Sequence, residues 1–195
     1  NSKYGKHIEK IDSYDLCYLI GLYIGDGSCR IMERTAQVSC SMEEREKKKL
    51  SNGQYAPRNE SDEKFTATYF CPQTIIDIPR EDECFERVTK TLDKNGIKWS
   101  LHGQCDITFH QWGLLKFFKE CGTSASTKKI PEWIFELDSS YQKRVLDGCR
   151  DSDGDNRGVI STCSKGLQED LARLHINCGI MPTLLERPAR TAHLK

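Results

Sequence analysis

Apolar positions fall along this chain in runs that alternate with long polar stretches, and each run predicts an element. The stretch Leu19-Ile20-Gly21-Leu22-Tyr23-Ile24-Gly25-Asp26-Gly27 lies in an apolar run of about a dozen residues and predicts a buried helix. Asp12 or Ser13 supplies its N-cap, and it runs through Gly25. Strands are expected around 35–41 and 64–78, the second containing the β-rich "FTATYF". Between them "EEREKKKLSNGQYAPRNESDE" is polar and turn-rich, which predicts a mobile excursion or a long hairpin loop. An amphipathic helix over 81–93 closes with Asn95-Gly96-Ile97, and strands follow near 97–101 and 105–109. A helix over 111–121 buries Leu114, Leu115, Phe117 and Phe118 and ends at Gly122. In "KKIPEWIFEL" the proline suits the first turn of a short helix, and Ser139 with Gln142 offers a capping box for the next one. A strand, a helix over 164–177 closing with Gly179-Ile180, and a last strand complete the pattern.

The pattern repeats. Leu146-Asp147-Gly148-Cys149-Arg150-Asp151-Ser152-Asp153-Gly154 superposes on the opening stretch without a gap. Gly21 falls on Gly148, Asp26 on Asp153 and Gly27 on Gly154. Each copy leads into an extended piece and then into a helix that closes on a glycine-isoleucine step. The chain therefore reads as two halves, 1–138 and 139–195, of one α+β fold, with the second half cut short.

Composition narrows the class. A chain of 195 residues, 30% of them charged and with mean hydropathy −0.63, predicts a globular protein with one core or two fused halves. The apolar run is too short to span a bilayer, which takes about 20 residues. No secretory signal opens the chain, which predicts an intracellular protein, and its start at Asn1 predicts a processed or excised fragment. Ten cysteines without a C-x-x-C pair predict reduced, mostly buried thiols and no zinc ribbon. The formal net charge of zero weighs against a nucleic-acid binder, although a local basic surface can coexist with a neutral total.

A carboxylate at the end of an apolar helix needs an explanation. The C-terminal end of a helix is negative, so Asp there is repelled by ~0.3–1 kcal/mol. The following glycine predicts a left-handed helix end. Gly21 and Gly25 share one helix face and Gly148 matches Gly21, so the two helices can pack closely side by side. Asp26 and Asp153 would then emerge together, tolerable if a hard divalent cation such as Mg2+ binds between them. Two other readings stay open at this point. Each Asp can be a solvated cap, and Asp151-Ser152-Asp153-Gly154-Asp155 matches the opening of a calcium loop, although Asn156 and Thr162 stand where the turn glycine and bidentate Glu belong.

The two glycine-Asp stretches resemble the LAGLIDADG, or dodecapeptide, motifs of homing endonucleases, and "YLIGLYIGDG" is close to the intein-borne members. Lys128-Lys129-Ile130-Pro131, 25 positions before Asp153, is similar to the K-x-I-P block of those enzymes. The resemblance runs from about residue 13 to 188. It implies a pseudo-two-fold fold of αββαββα halves, with the motif helices as a central seam and saddle-shaped antiparallel sheets over double-stranded DNA. It further implies a monomer that cuts both strands in a Mg2+-dependent hydrolysis, with Mn2+ able to substitute. Asp26 and Asp153 match the acidic metal ligands, the carbonyls of Gly25 and Ser152 match positions that complete the metal shell, and Lys128 matches a catalytic lysine. Gly21 and Gly148 match the seam. Arg30, Arg34, Gln37 and Arg157 are the expected DNA contacts, with Lys47–Lys49 as a backbone clamp.

The second motif departs from the pattern. Asp147, Arg150 and Asp151 make it polar, with Arg150 expected to pair with Asp147 or Asp151 or to reach a phosphate, and its half lacks a counterpart of Lys128. A catalytically degenerate LAGLIDADG nucleic-acid-binding module, or a maturase, is the alternative. Neither a nucleophile at residue 1 nor a terminal His-Asn pair is present, so splicing by this chain is not expected.

Overall fold

The computed structural model of the chain describes residues 10–39, 64–155 and 157–185, which form five α-helices and one four-stranded antiparallel sheet. In chain order these are α1 (Ser13–Asp26), β1 (Gly27–Ser39), β2 (Lys64–Asp77), α2 (Glu83–Lys94), β3 (Trp99–His102), β4 (Asp106–Phe109), α3 (Trp112–Glu120), α4 (Ser139–Asp153) and α5 (Lys165–Asn177). Short 3-10 turns lie at Ala125–Thr127 and Glu132–Glu136. The sheet order is β1-β2-β4-β3, with Asp77 opposite Asp106, and Thr74 and Trp99 both opposite Phe109. The chain divides into two compact units, residues 1–30 with 73–195 and residues 31–72. The second consists, among the described residues, of residues 31–39 of β1 and 64–72 of β2. The expected loop between those strands and Lys47–Lys49 lie outside the described residues.

The larger unit is built around α1. Every residue from Cys17 to Ile24 is buried, as expected of a helix apolar on all faces. Its core cluster joins Tyr18, Leu22 and Tyr23 of α1 with Ile76 of β2, Ile107 and Phe109 of β4, Phe118 of α3, Val145 and Leu146 of α4, and Leu174 of α5. Tyr23 stacks on Phe118 at 4.6 Å between ring centroids. Asp12 proves to be the N-cap, its carboxylate accepting from the Tyr14 and Asp15 amides.

Several expectations change. The glycines after the two aspartates are not left-handed: Gly27 has φ −87° and Gly154 φ −84°, both extended. Space explains them instead. A Cβ on Gly27 would meet Tyr23 Cδ2 at 2.5 Å, and one on Gly154 would meet the Arg150 α-carbon at 2.9 Å. Strand β1 consequently starts at once after α1 rather than at 35. The Ser139–Gln142 capping box does not form. Asp138 stands at the N-cap of α4, while the buried Gln142 amide donates to the carbonyls of Phe135 and Leu137 and accepts from Asn177. In the second half the strand expected after Asp153 is reduced to a single bridge between Gly154 and Ile160, and no ladder follows α5 among the described residues.

The helices that close the two expected copies end alike. In α2 the Ile97 amide bonds back to the Leu92 carbonyl at 2.9 Å around a left-handed Gly96. In α5 the Ile180 amide bonds back to the His175 carbonyl at 2.9 Å around a left-handed Gly179. Both are the six-to-one bonds of a glycine-terminated helix.

Candidate active site

Two glycines bring α1 and α4 into backbone contact. A Cβ on Gly21 would lie 2.9 Å from the Gly148 α-carbon and would strike the Val145 carbonyl. A Cβ on Gly148 would lie 2.9 Å from the Gly21 α-carbon and would strike the Tyr18 carbonyl. The contacts are reciprocal and advance together along both helices, so the pair runs parallel. One turn on, Gly25 faces Ser152 and Asp153: a Cβ there would lie 3.2 Å from the Asp153 Cβ. Asp26 and Asp153 therefore leave the seam at the same end.

Their electrostatics record the crowding. Partial burial first and the charge of Asp26 second push the Asp153 carboxyl up to about 6. Asp26 is also raised, although its side chain stays exposed: lost solvation around the carboxylate acts first, the charge of Asp77 adds to it, and Lys128 opposes both. Asp77, at the end of β2, is a member of the site that the motif reading missed. Its signal in the sequence is one carboxylate closing the apolar strand segment Thr74-Ile75-Ile76-Asp77. Among the described residues Asp77, Cys105 and Asp106 have ligand atoms within 4.8 Å of one another.

Lys128 is buried, with 5% of its surface exposed, and its ammonium meets the end of α1. Nζ donates to the Tyr23 carbonyl and, at 2.8 Å, to the Gly27 carbonyl, and it sits 3.7 Å from the centroid of the Tyr23 ring. Helix ends leave four carbonyls without intrahelical partners, and a cation there satisfies both the hydrogen bonds and the dipole. Burial lowers this ammonium to about 8, with nearby thiols and Asp26 pulling the other way. Among the described residues no such cation opposes the shift at Asp153.

The second motif's polar residues are committed to the fold. Asp151 Oδ2 accepts from the Tyr18 hydroxyl and from Arg87 Nη1, each at 2.5 Å. Asp147 pairs with Arg144 at 3.8 Å and Asp151 with Arg87, and Arg150 Nε is buried without a hydrogen-bond partner, so Arg150 takes neither expected acidic partner. Asp155 accepts from the Arg157 and Val159 amides and from the Arg157 guanidinium at 2.7 Å, which lowers its pKa. Asp151 and Asp153 lie within α4, and Asp151 and Asp155 are held by separate partners, so these residues do not form the expected calcium loop.

The expected DNA contacts each have their own surroundings. Arg30 Nε donates to the buried Gln73 Oε1 at 2.7 Å. Arg34 lies in the smaller unit, with Nη2 3.9 Å from Met32 Sδ. Gln37 is part of the β1 backbone, and its side chain lies outside the described residues. Arg157 is tied to Asp155. The nine described cysteines are all free, five of them buried. Among the described residues no helix is long and apolar enough to cross a membrane.

No protein-family profile matches the chain. A protein of Mycobacterium leprae (strain TN) described as an iron-sulfur cluster assembly SufBD family protein is 37% identical over 68 residues. That match takes in 31% of this chain and 8% of the mycobacterial protein, so the chain spans under a tenth of that relative's length. Among solved structures, the I-SmaMI LAGLIDADG homing endonuclease bound to cleaved DNA aligns over 97% of this chain and 54% of its own, with 15% identity and a TM-score of 0.29.

Proposed function

We propose that this chain is a site-specific endonuclease of the LAGLIDADG homing type that hydrolyses double-stranded DNA, acting as a monomer of two pseudo-symmetric halves. One observation carries the reading: Gly21 packs on Gly148, and the aspartates that follow emerge side by side at the negative ends of two parallel helices. The donor set fits a hard divalent cation, because two carboxylates held above their ordinary pKa by burial gain most from one. Asp26 and Asp153 would hold Mg2+, or Mn2+ in its place, with the Gly25 and Ser152 carbonyls. Bound there, the ion supplies Lewis-acid polarisation of the phosphoryl group and a lowered water pKa. Lys128 holds the end of α1 in place through Tyr23 and Gly27. With a pKa of about 8 its Nζ can also hold or release a proton near neutrality. Arg30, Arg34, Gln37 and Arg157 are the proposed DNA contacts.

The binding-module reading has two observations in its favour. The Lys128 ammonium is already engaged with two carbonyls, and the second half carries a bridge where a DNA-reading sheet would stand. A plasmid carrying the candidate insertion site separates the two. Linear product that disappears with EDTA supports the nuclease, and tight binding without nicking at any Mg2+ or Mn2+ concentration supports the module. Asp26→Asn and Asp153→Asn should each abolish double-strand cleavage while sparing DNA affinity. Cutting at the wild-type rate by either variant would remove the assignment. The iron-sulfur description belongs to a protein of which this chain matches 8%, and it is not carried over.

A further inference from the structure

The segment bearing Lys128 is held from two sides. Its side chain runs into the end of α1, as described above. Its backbone is gripped by α5: the Ser164 hydroxyl donates to the Lys128 carbonyl at 2.7 Å, and the Ile130 amide donates to Asp170 Oδ2 at 2.8 Å. Between them the Lys129 amide donates to the Cys121 carbonyl at 3.0 Å. Ser164 is buried, and the same oxygen accepts from the Leu167 amide at 3.2 Å as the N-cap of α5. One hydroxyl thus caps the helix with its lone pair and clamps Lys128 with its proton. Capping alone does not ask for serine at this position, since Asp, Asn or Gly also caps. A carboxylate there would turn oxygen against the Lys128 carbonyl, and glycine would leave that carbonyl without the bond. Donor and acceptor on one short side chain are what serine and threonine provide.

We propose that Ser164 and Asp170 are positioning residues for Lys128: α5, an element of the second half, fixes the Lys128–Ile130 backbone so that the ammonium reaches the end of the first motif's helix beside Asp26. A lysine side chain has four rotatable bonds, so its Nζ is held only if its own backbone is fixed. The consequence for cleavage rests on the nuclease reading. The clamp itself does not.

The test is site-resolved acetylation of the full chain with an acetylating N-hydroxysuccinimide ester, read by mass spectrometry with the exposed Lys129 as internal reference. Ser164→Gly retains a competent cap and Asp170→Ala leaves the cap untouched. Each should raise Lys128 labelling relative to Lys129 by roughly tenfold, the scale expected when one buried hydrogen bond is lost. Ser164→Thr and Asp170→Asn preserve the bonds and should label as wild type does. Leu92→Ala, which destabilises the core from α2, controls for general loosening and should leave the ratio unchanged. Wild-type labelling in both Ser164→Gly and Asp170→Ala, or an equal rise in Leu92→Ala, overturns the clamp. In single-turnover cleavage the same two variants should slow the chemical step about 10- to 100-fold with DNA affinity unchanged, and threonine should restore it. A wild-type protein that cuts no DNA ends the nuclease reading, and the labelling ratio then decides the clamp alone.

Discussion

Asp153→Asn should stabilise this protein when metal is withheld, against the usual outcome of removing a partly buried polar charge. The Asp153 carboxyl sits half-buried at the end of α4, raised to about 6 from the ordinary 3.8 by burial and by Asp26. A raised carboxyl pKa means that the folded chain binds the proton more tightly than the unfolded chain. Below 3.8 both states are protonated and no penalty exists. Between 3.8 and about 6 the unfolded chain ionises first, so stability falls as pH rises, and above about 6 the penalty is complete. Each pH unit across that gap is worth about 1.36 kcal/mol, for an upper bound of ~3 kcal/mol. Solvent screening at a site that is not fully enclosed reduces this to ~1–2 kcal/mol. For a chain of this size that is ~2–8 °C in Tm. The assay is thermal unfolding by circular dichroism from pH 3 to 8, in EDTA and then in Mg2+. In EDTA at pH 7.5 the variant should melt above the wild type, with the difference closing below pH 4. Added Mg2+ should raise the wild-type Tm and leave the variant's where it was. An EDTA melt at pH 7.5 with the variant equal to or below the wild type would refute the claim that these carboxylates are crowded together.

The other expectations are briefer. Gly148→Ala drives a methyl into the backbone of α1 and should cost at least ~1–3 kcal/mol by denaturant titration, because no flexible side chain can yield. Gly166→Ala, in α5, where a Cβ would meet nothing nearer than the Ser164 hydroxyl at 3.9 Å, should be neutral or stabilising by up to ~1 kcal/mol; equal losses at both glycines would sink the seam argument. Lys128→Met keeps the apolar stem but strips the ammonium from the Tyr23 and Gly27 carbonyls, and a loss of ~1–3 kcal/mol should appear in the same titration. Asp77→Asn removes a charge that raises Asp26, so the acidic limb of a pH–rate profile for cleavage should move to lower pH. Plasmid cleavage should pass through a nicked circle, because Lys128 opposes the shift at Asp26 and, among the described residues, no cation does so at Asp153; simultaneous loss of both strands would argue against unequal sites.

What the sequence makes legible follows from how local each determinant is. Helices α1, α2, α3 and α5 come within two residues of their predicted bounds, because apolar periodicity and the left-handed Gly96 and Gly179 act over a single turn. The seam between Gly21 and Gly148 is legible through the ungapped repeat. Gly27 and Gly154 illustrate the limit. Their identity is dictated by atoms one turn back, Tyr23 and Arg150, and not by their own dihedrals, so a left-handed end is the natural but wrong inference. Gln142 fails for a similar reason: a buried amide that ties Phe135 and Leu137 to Asn177 looks, in sequence, like a local capping partner. Asp77 and Ser164 escape because neither lies near a motif. Each matters through a neighbour that the fold supplies, Asp26 for one and the Lys128 carbonyl for the other.

The two motif helices share a seam but not a division of labour. At the end of α1, an ammonium on a clamped backbone offsets the helix carbonyls and part of the carboxylate repulsion. At the end of α4 no cation among the described residues plays that part, and the acidic residue two positions before Asp153 is turned back into the fold to tie Tyr18 and Arg87. The polar second motif is therefore not simply a decayed copy of an apolar helix. Asp151 joins α4 to α1 through Tyr18 and to α2 through Arg87, doing with hydrogen bonds what the first motif does with buried apolar surface. Asp153 bears the cost, as the member of the pair with the larger burden of unrelieved charge. A divalent ion at the seam would relieve that member most, so metal affinity should fall further on Asp153→Asn than the loss of one ligand in a symmetric site would produce.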